Sequence, residues 1–564
     1  MRISAFIFSV IFSGSAFLAM AQSTYIPLGD KQYDVLERLQ IKTGLAGLNF
    51  ADDKPYSRKE VAQQVEMVDS ILKTNPNFGK LTDADKNGIL NLLMDNSEWS
   101  KPRDYYLSKK PVFGANGIYK TKDNLLEVNN PDLFITVNPV VYFAAGKEQA
   151  DGKLIYQNTR GITVRGLIDQ KVGFNIYFTD NQERDASYVM QYVLDNKALP
   201  GEGNFKTTVA NTKSTLDYFD ARGSATWSIA KRVDMQFGFD QNVIGDGYRS
   251  LFLSDFSNSA TFLKMSTHLW KFNYENILME LYLPHTATGN DIFNRKYARF
   301  SDLSINATKW LNAGVFEGMI FDQENNFNAQ YLVPVIFFTP FGNAGNNSNA
   351  LIGLHARANV AKAFQFYGQL AIDKLNTSQT FNGKGWWGNQ NGFQLGGKYI
   401  DAFGLKNTDL QLEFNEVRPF TYAADDNVAN YTHYNLPLAH PLGANFQEIV
   451  AILKLHPANK WYITGQIIHY IHGLDSAGVN FGGNIFENYN TRTSDYGFTV
   501  GGGDEATCNI INGVVSYELK ENMFLELGGI YRTFKLASDA SGQKNVTMVN
   551  FTFRWNIARR DFNF

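Results

Sequence analysis

Beyond about residue 110 the chain alternates apolar and polar residues over strand-length windows. In 546–557, Val549, Phe551, Phe553, Trp555 and Ile557 fall on one face, with Asn550, Thr552, Arg554 and Asn556 on the other. Val233, Met235, Phe237 and Phe239 likewise stand opposite Asp234, Gln236, Gly238 and Asp240. The same holds for Leu410, Leu412 and Phe414 against Gln411, Glu413 and Asn415, and for Phe364, Phe366, Leu370 and Ile372 against Gln365, Gln369 and Asp373. A period of two predicts strands with one apolar and one polar environment. After the first two dozen residues no stretch is long and apolar enough to span a bilayer as a helix. One wall in lipid and the other in water describes an outer-membrane β-barrel, though alternation alone also fits a secreted β-sandwich or β-solenoid.

The spacing of the turns separates these readings. Short polar turns are predicted at Asp169-Gln170-Lys171, Ala230-Lys231-Arg232, Lys406-Asn407-Thr408, 456–459 and 518–522. Long connections rich in Gly, Asn and Asp are predicted at 180–214, 239–260, 376–391, 421–445 and 473–507. Short turns at one end and long loops at the other are the asymmetry of a transmembrane barrel, and a soluble sandwich has little reason to segregate loops this way. The expected fold is therefore an all-β transmembrane barrel of about 18 antiparallel strands. Phe564, soon after the last strand, is similar to the terminal aromatic of barrel assembly signals.

Residues 31–97 follow a different period. Tyr33, Leu36 and Leu39 predict a first helix, and Ser57-Arg58-Lys59-Glu60 is a capping-box pattern ahead of Val61, Val65, Val68 and Leu72. A third helix opens at Thr82-Asp83 and contains Ile89, Leu92 and Leu93. Asp83-x-Asp85-x-Asn87-Gly88 mimics the start of a calcium loop, but Met94 stands where a bidentate glutamate belongs, and helix capping explains the same residues. Met1–Ala21 reads as a secretory signal, with Arg2 first and Ala19-Met20-Ala21 at the cleavage site. The chain thus divides into a signal at 1–21, a small periplasmic α-helical domain at 22–105 and the barrel at 106–564.

Composition adds limits. The net charge of -3 leaves no electrostatic footprint for nucleic acid. A single cysteine, Cys508, excludes a disulfide framework and a cysteine-based zinc site. Aromatic residues make up 14%, which suits both barrel girdles and sugar-stacking surfaces. Elbow, zincin and P-loop motifs are absent, so no catalytic residue, cofactor or metal ligand set is assigned. Asp246 and Asp255 are the pair to weigh as the two carboxylates of glycoside hydrolysis, but ordinary loop aspartates account for them.

Two segments exceed ordinary loop composition. In 242–255, Tyr248 and Arg249 offer a stacking face and a fork of donors, and Leu251-Phe252-Leu253 predicts a loop folding back into the barrel. That loop contacts a ligand or plugs the lumen, held by Arg249 and Asp255. In 418–445, Arg418, Tyr422, His433, Tyr434, His440 and Asn445 suit carbohydrate recognition or a packed cover over the barrel mouth. Histidines 433 and 440 lack helical metal-site spacing. Trp386 and Trp387, between glycines, form a third candidate sugar platform or interface anchor.

With the helical preface and exported barrel, Gly245–Asp255, Arg418–Tyr422 and Thr432–Asn445 resemble the Wzi-like capsule-assembly outer-membrane family, especially its gliding-motility branch. The resemblance implies a non-enzymatic lectin barrel in the cell outer membrane, holding capsular or exopolysaccharide. Its partners would be surface polysaccharide, outer-membrane lipids and, through the helical domain, secretion or motility machinery. Asp246, Tyr248, Arg249, Asp255, Trp386, Trp387, Arg418, Tyr422, His433, Tyr434, His440 and Asn445 are the candidate glycan contacts. A porin is the competing reading, because inward Asp240, Gln369 and Arg554 suit an open lumen. An accessory scaffold is the third.

Overall fold

The computed structural model describes residues 23–112, 118–149, 152–203, 205–207, 215–284, 293–321, 324–337, 349–380, 383–426 and 428–564. The expected signal at 1–21 lies outside them. Eighteen long antiparallel strands, from Leu133–Glu148 to Lys544–Trp555, close into one barrel among the described residues. The last strand pairs with the first over Met548–Trp555 and Val141–Glu148. Below that seam, Leu126–Asn129 covers the remaining edge of the first strand.

The alternation is inverted relative to a soluble protein. Leu395, Leu412, Ile467, Leu527 and Phe551 point outward and are 53–63% exposed, whereas Gln394, Glu413 and Thr552 point inward at 0–2%. An apolar outer wall against lipid and a polar inner wall require this, and closure satisfies every strand edge. Among the described residues no helix is long and apolar enough to cross a membrane. The predicted turns link successive strands; Asp169 and Gln170, for example, both take positive φ in the two-residue form that suits strand twist.

Two corrections concern the end of the last strand and one connection. The last strand stops at Trp555, and Asn556 turns the chain inward with φ +54, so Ile557 is not on the lipid face. Phe564, beyond that turn, is buried inside, packed against Tyr192 and edge-on to Tyr188 and Phe256. The connection expected as loop over 180–214 contains a helix, Ser187–Asn196, which buries Val189, Met190 and Val193 against Leu216 and Tyr218.

The lumen is filled from both ends. At the tight-turn end sit three helices, Gln32–Thr43, Arg58–Thr74 and Asp83–Asp95, sharing a core of Leu36, Leu39, Val61, Val65 and Leu92. Ser57 caps the second helix and Thr82 forms a full capping box with Asp85, which is the helix-cap reading of the calcium-like run. The first helix faces the barrel: Arg38 joins Asp85 (2.7 Å) to Asp401 (2.9 Å), and Lys42 joins the same pair at 2.6 and 2.7 Å. Arg38 also reaches Asp409, and Lys31 bonds Glu518 (2.5 Å) and Glu521. From this unit Asp53–Lys54 runs up the lumen and pairs antiparallel with Val243–Ile244 of the loop descending from the other end.

Candidate functional site at the long-loop end

The loop at 241–259 folds inward as its apolar run predicts. Leu251, Phe252 and Leu253 are 0–2% exposed, and Phe252 stacks on Phe316 with ring centres 4.4 Å apart. Gln369 accepts from Leu251 N–H (2.8 Å) and donates to Ile244 O (3.2 Å), so this inward residue is occupied by the plug rather than by water in a channel.

Arg249 is not paired with Asp255, as the sequence suggested. Its guanidinium forks onto Glu448, with Nη2 2.9 Å from Oε1 and Nε 3.2 Å from Oε2, and Nη2 also donates to Asn563 O at 2.5 Å. Glu448 additionally accepts from Asn415 (3.0 Å) and contacts His440 Nε2 (2.8 Å). The plug loop and the covering loop therefore converge on one buried carboxylate, and the C-terminal tail joins them through Arg249. Glu413 reinforces the junction by accepting from the backbone of Tyr248 (2.7 Å) and Arg249 (3.0 Å). Tyr248 takes the Arg249 cation over its ring and meets Asn563.

Most other candidates are structural as well. Asp246 pairs with Arg357, and Lys398 binds its carbonyl, so it stands apart from Asp255, which is exposed and does not share in that pair. Tyr422 is buried, donating to Leu251 O (2.8 Å). Asn445, at φ +61, donates to Gly473 O and Gly502 O (2.9 Å each) and accepts from Gly501 N–H (2.9 Å), tying two loops together. Arg418 donates to Asn389 O (2.8 Å), and Tyr434 packs against Tyr282 and Phe293. Buried as they are, Tyr422, His433, His440 and Asn445 cannot touch a polymer at the surface. They hold the cover over the barrel mouth.

Burial disfavours the charged form of both histidines of that cover. His433 receives Tyr282 N–H on Nδ1 (3.0 Å) and faces Ser259 O with Nε2 (3.2 Å). Burial, partly opposed by the Ser259 carbonyl, pushes its pKa down to about 3. Burial also lowers His440, although Glu448 pulls the other way. A histidine depressed in the fold is protonated preferentially in the opened state, so acid destabilises the cover from about pH 6.5 downward, by up to about 1.4 kcal/mol per pH unit until about pH 3. Proteolysis of the purified protein between pH 7 and pH 4 should reveal progressive loss of protection at 418–445. His433→Gln should reduce that dependence, leaving the part due to His440; an unchanged profile would sink the assignment.

Trp386 and Trp387 remain at the surface and gather partners that spacing does not announce. The Arg492 guanidinium lies 3.7 Å from the Trp387 ring centre, and Lys374 lies 4.9 Å away. Tyr489 tilts against Trp387 at 5.0 Å, Lys374 also covers Tyr489 at 4.5 Å, and Trp386 lies 5.9 Å from Trp387. Backbone bonds lock the platform: Trp387 N–H to Asp495 O (3.0 Å), Phe498 N–H to Gly385 O (3.0 Å) and Tyr489 N–H to Ala424 O (3.1 Å). Three loops thus present half-buried aromatic faces flanked by two cations, with Tyr496 exposed alongside. Apolar faces for sugar rings beside donors for hydroxyl or carboxylate oxygens are what carbohydrate binding needs. Tyr489 and Arg492 escape sequence reasoning because they sit about a hundred residues along the chain from Trp387, and Lys374 because its strand pattern does not announce a cation over an aromatic ring.

No known protein-family model and no curated protein matches the chain. Among solved structures it is similar to Wzi, an outer-membrane protein involved in group 1 capsule assembly in Escherichia coli and described as a carbohydrate-binding β-barrel. That likeness has a TM-score of 0.56 and 11% identity, covering 95% of this chain and 100% of that one. OprD of Pseudomonas aeruginosa aligns with a TM-score of 0.43 and 12% identity, covering 74% of this chain and 94% of OprD. OccAB2 of Acinetobacter baumannii aligns at 0.42 and 8%, covering 75% and 98%. The Wzi-like architecture expected from the sequence is the fold observed, and with its apolar outer wall the chain is an outer-membrane β-barrel.

Proposed function

We propose that this plugged barrel holds capsular or exopolysaccharide at the cell surface and catalyses no reaction. The observation that supports this reading is the Trp387 platform, ordered by three loops at the long-loop end above a lumen packed with protein. The carbohydrate binding described for Wzi, whose fold this chain shares, favours it too. On this reading residues 1–21 export the chain, the tight-turn end with its helical unit faces the periplasm, and the platform faces outward. Weak contacts suffice, because a polymer offers many repeats and many copies of the protein engage it. Attached slime would in turn serve adhesion and gliding. Deleting the protein should release polysaccharide into the medium, and purified protein should bind the bacterium's own surface polymer. A mutant that keeps its surface polymer unchanged ends this reading.

The polar inner wall keeps the porin reading in play, and conductance separates the two. In planar bilayers the intact chain should be silent, since Gln369, Glu448 and Arg357 of the wall are engaged by plug segments. Steady ohmic steps would favour the channel.

A further inference from the structure

Asp52, Asp302 and His355 meet inside the lumen, outside the junction centred on Glu448 and outside the Trp387 platform. Asp52 belongs to the N-terminal plug, where its carbonyl accepts from Gly245 N–H at 3.0 Å. Asp302 and His355 belong to the barrel strands Arg295–Ile305 and Asn349–Val360. These two strands are separated by a third, and Gly314 on it stands in register with His355. A Cβ at Gly314 would lie 2.2 Å from His355 Nε2, so the glycine leaves the gap through which the imidazole reaches Asp302.

The three side chains are 1–6% exposed. One ligand atom from each lies within 4.8 Å of the other two. His355 Nδ1 is 3.1 Å from Asp52 Oδ2 and Nε2 is 2.9 Å from Asp302 Oδ1. Neither contact is aligned as a hydrogen bond. Both Asp52 oxygens, Asp302 Oδ1 and both ring nitrogens are buried without a hydrogen-bond partner. Five such atoms converging in a buried cluster are costly unless something satisfies them. The nearby Arg357 is committed to Asp246, Asn49 and the Phe50 carbonyl. With the imidazole neutral, as metal ligation requires, the two carboxylates leave two negative charges, which one divalent cation balances.

We propose that Asp52, Asp302 and His355 form a divalent-metal site of the zinc class that staples the plug to the barrel wall. Two carboxylate oxygens and one imidazole nitrogen, all within 4.8 Å of one another, are a zinc donor set. Because one ligand comes from the plug and two from the wall, the ion's binding free energy becomes plug-docking free energy.

The test uses the full-length chain in detergent without a histidine tag, stripped with EDTA and titrated with zinc alone. The wild type should bind one zinc per chain, unfold at higher temperature with zinc, and lose that gain on renewed chelation. Asp52→Asn and His355→Gln should each weaken zinc binding at least tenfold and abolish the thermal response. If a variant fails to fold, cobalt added to the wild type should give the visible absorption of a tetrahedral nitrogen–oxygen site. Absence of stoichiometric zinc, equal binding by folded variants, or no such cobalt spectrum overturns the proposal. A thermal response to pH with none to zinc or EDTA also overturns it, and assigns the trio to an imidazolium bridging two carboxylates.

Discussion

Glu448→Ala should loosen the plug by about 3–5 kcal/mol, the usual cost of leaving a buried charge without its partner. Glu448 is fully buried and serves three segments at once: Arg249 of the plug loop, His440 of the cover and Asn415 of the neighbouring strand. Removing it strands the Arg249 guanidinium with the Asn563 carbonyl as its remaining close acceptor in this junction. Arg249→Ala should cost a comparable amount, since it leaves the carboxylate buried. The barrel strands keep their own hydrogen bonds, so the wall should survive while the interior opens. Two readouts follow: earlier proteolysis of 241–259 and 418–445 in the folded protein, and channel activity where the wild type is silent. Asp255→Asn is the matched control, expected within about 0.5 kcal/mol of wild type because this carboxylate is exposed. Equal protease resistance in Glu448→Ala and wild type would refute the hub.

Trp387→Ala should release surface polysaccharide without unfolding the barrel. An aromatic face is worth about 0.5–1.5 kcal/mol per stacked partner, so each contact loses up to roughly tenfold in affinity. A polymer engaging many copies multiplies that loss, and partial weakening per site becomes near-complete release. Tyr489→Ala should act in the same direction. Arg492→Ala should act more strongly than Lys374→Ala, because Arg492 sits closer over Trp387 and is also tied to Asp495 at 2.7 Å. Tyr434→Ala, altering a packed aromatic outside this platform, should leave polymer binding in place. The check is retention of labelled surface polymer by cells and by purified protein. Unchanged retention in Trp387→Ala would remove the platform from the mechanism.

Legibility followed the range of the interactions. Caps at Ser57 and Thr82 were readable because each is settled within four residues. The inward fold of Leu251–Leu253 was readable because three apolar side chains in a polar loop need cover. The helix at Ser187–Asn196 was missed because it lies within a long polar connection and is set by packing on Leu216 and Tyr218. Arg249 was matched to the nearby Asp255, whereas its partner Glu448 lies 199 residues away on the opposite wall. Within the candidate set, chemistry pointed to His433, His440 and Asn445, which burial then turned into scaffold. Trp386 and Trp387 stayed accessible.

The sequence by itself determined the wall. Period-two alternation and segregated turn lengths dictate a barrel with an apolar exterior, because each strand's two faces meet two different solvents over its whole length. Tertiary structure alone decided what fills that wall. Which inward polar group meets the helical unit, the descending loop or the tail depends on register and closure, which bring residues 52, 302 and 355, or 387 and 489, to one place. No local pattern encodes such meetings, since their energy comes from burial and pairing between segments that are neighbours only once the barrel has closed.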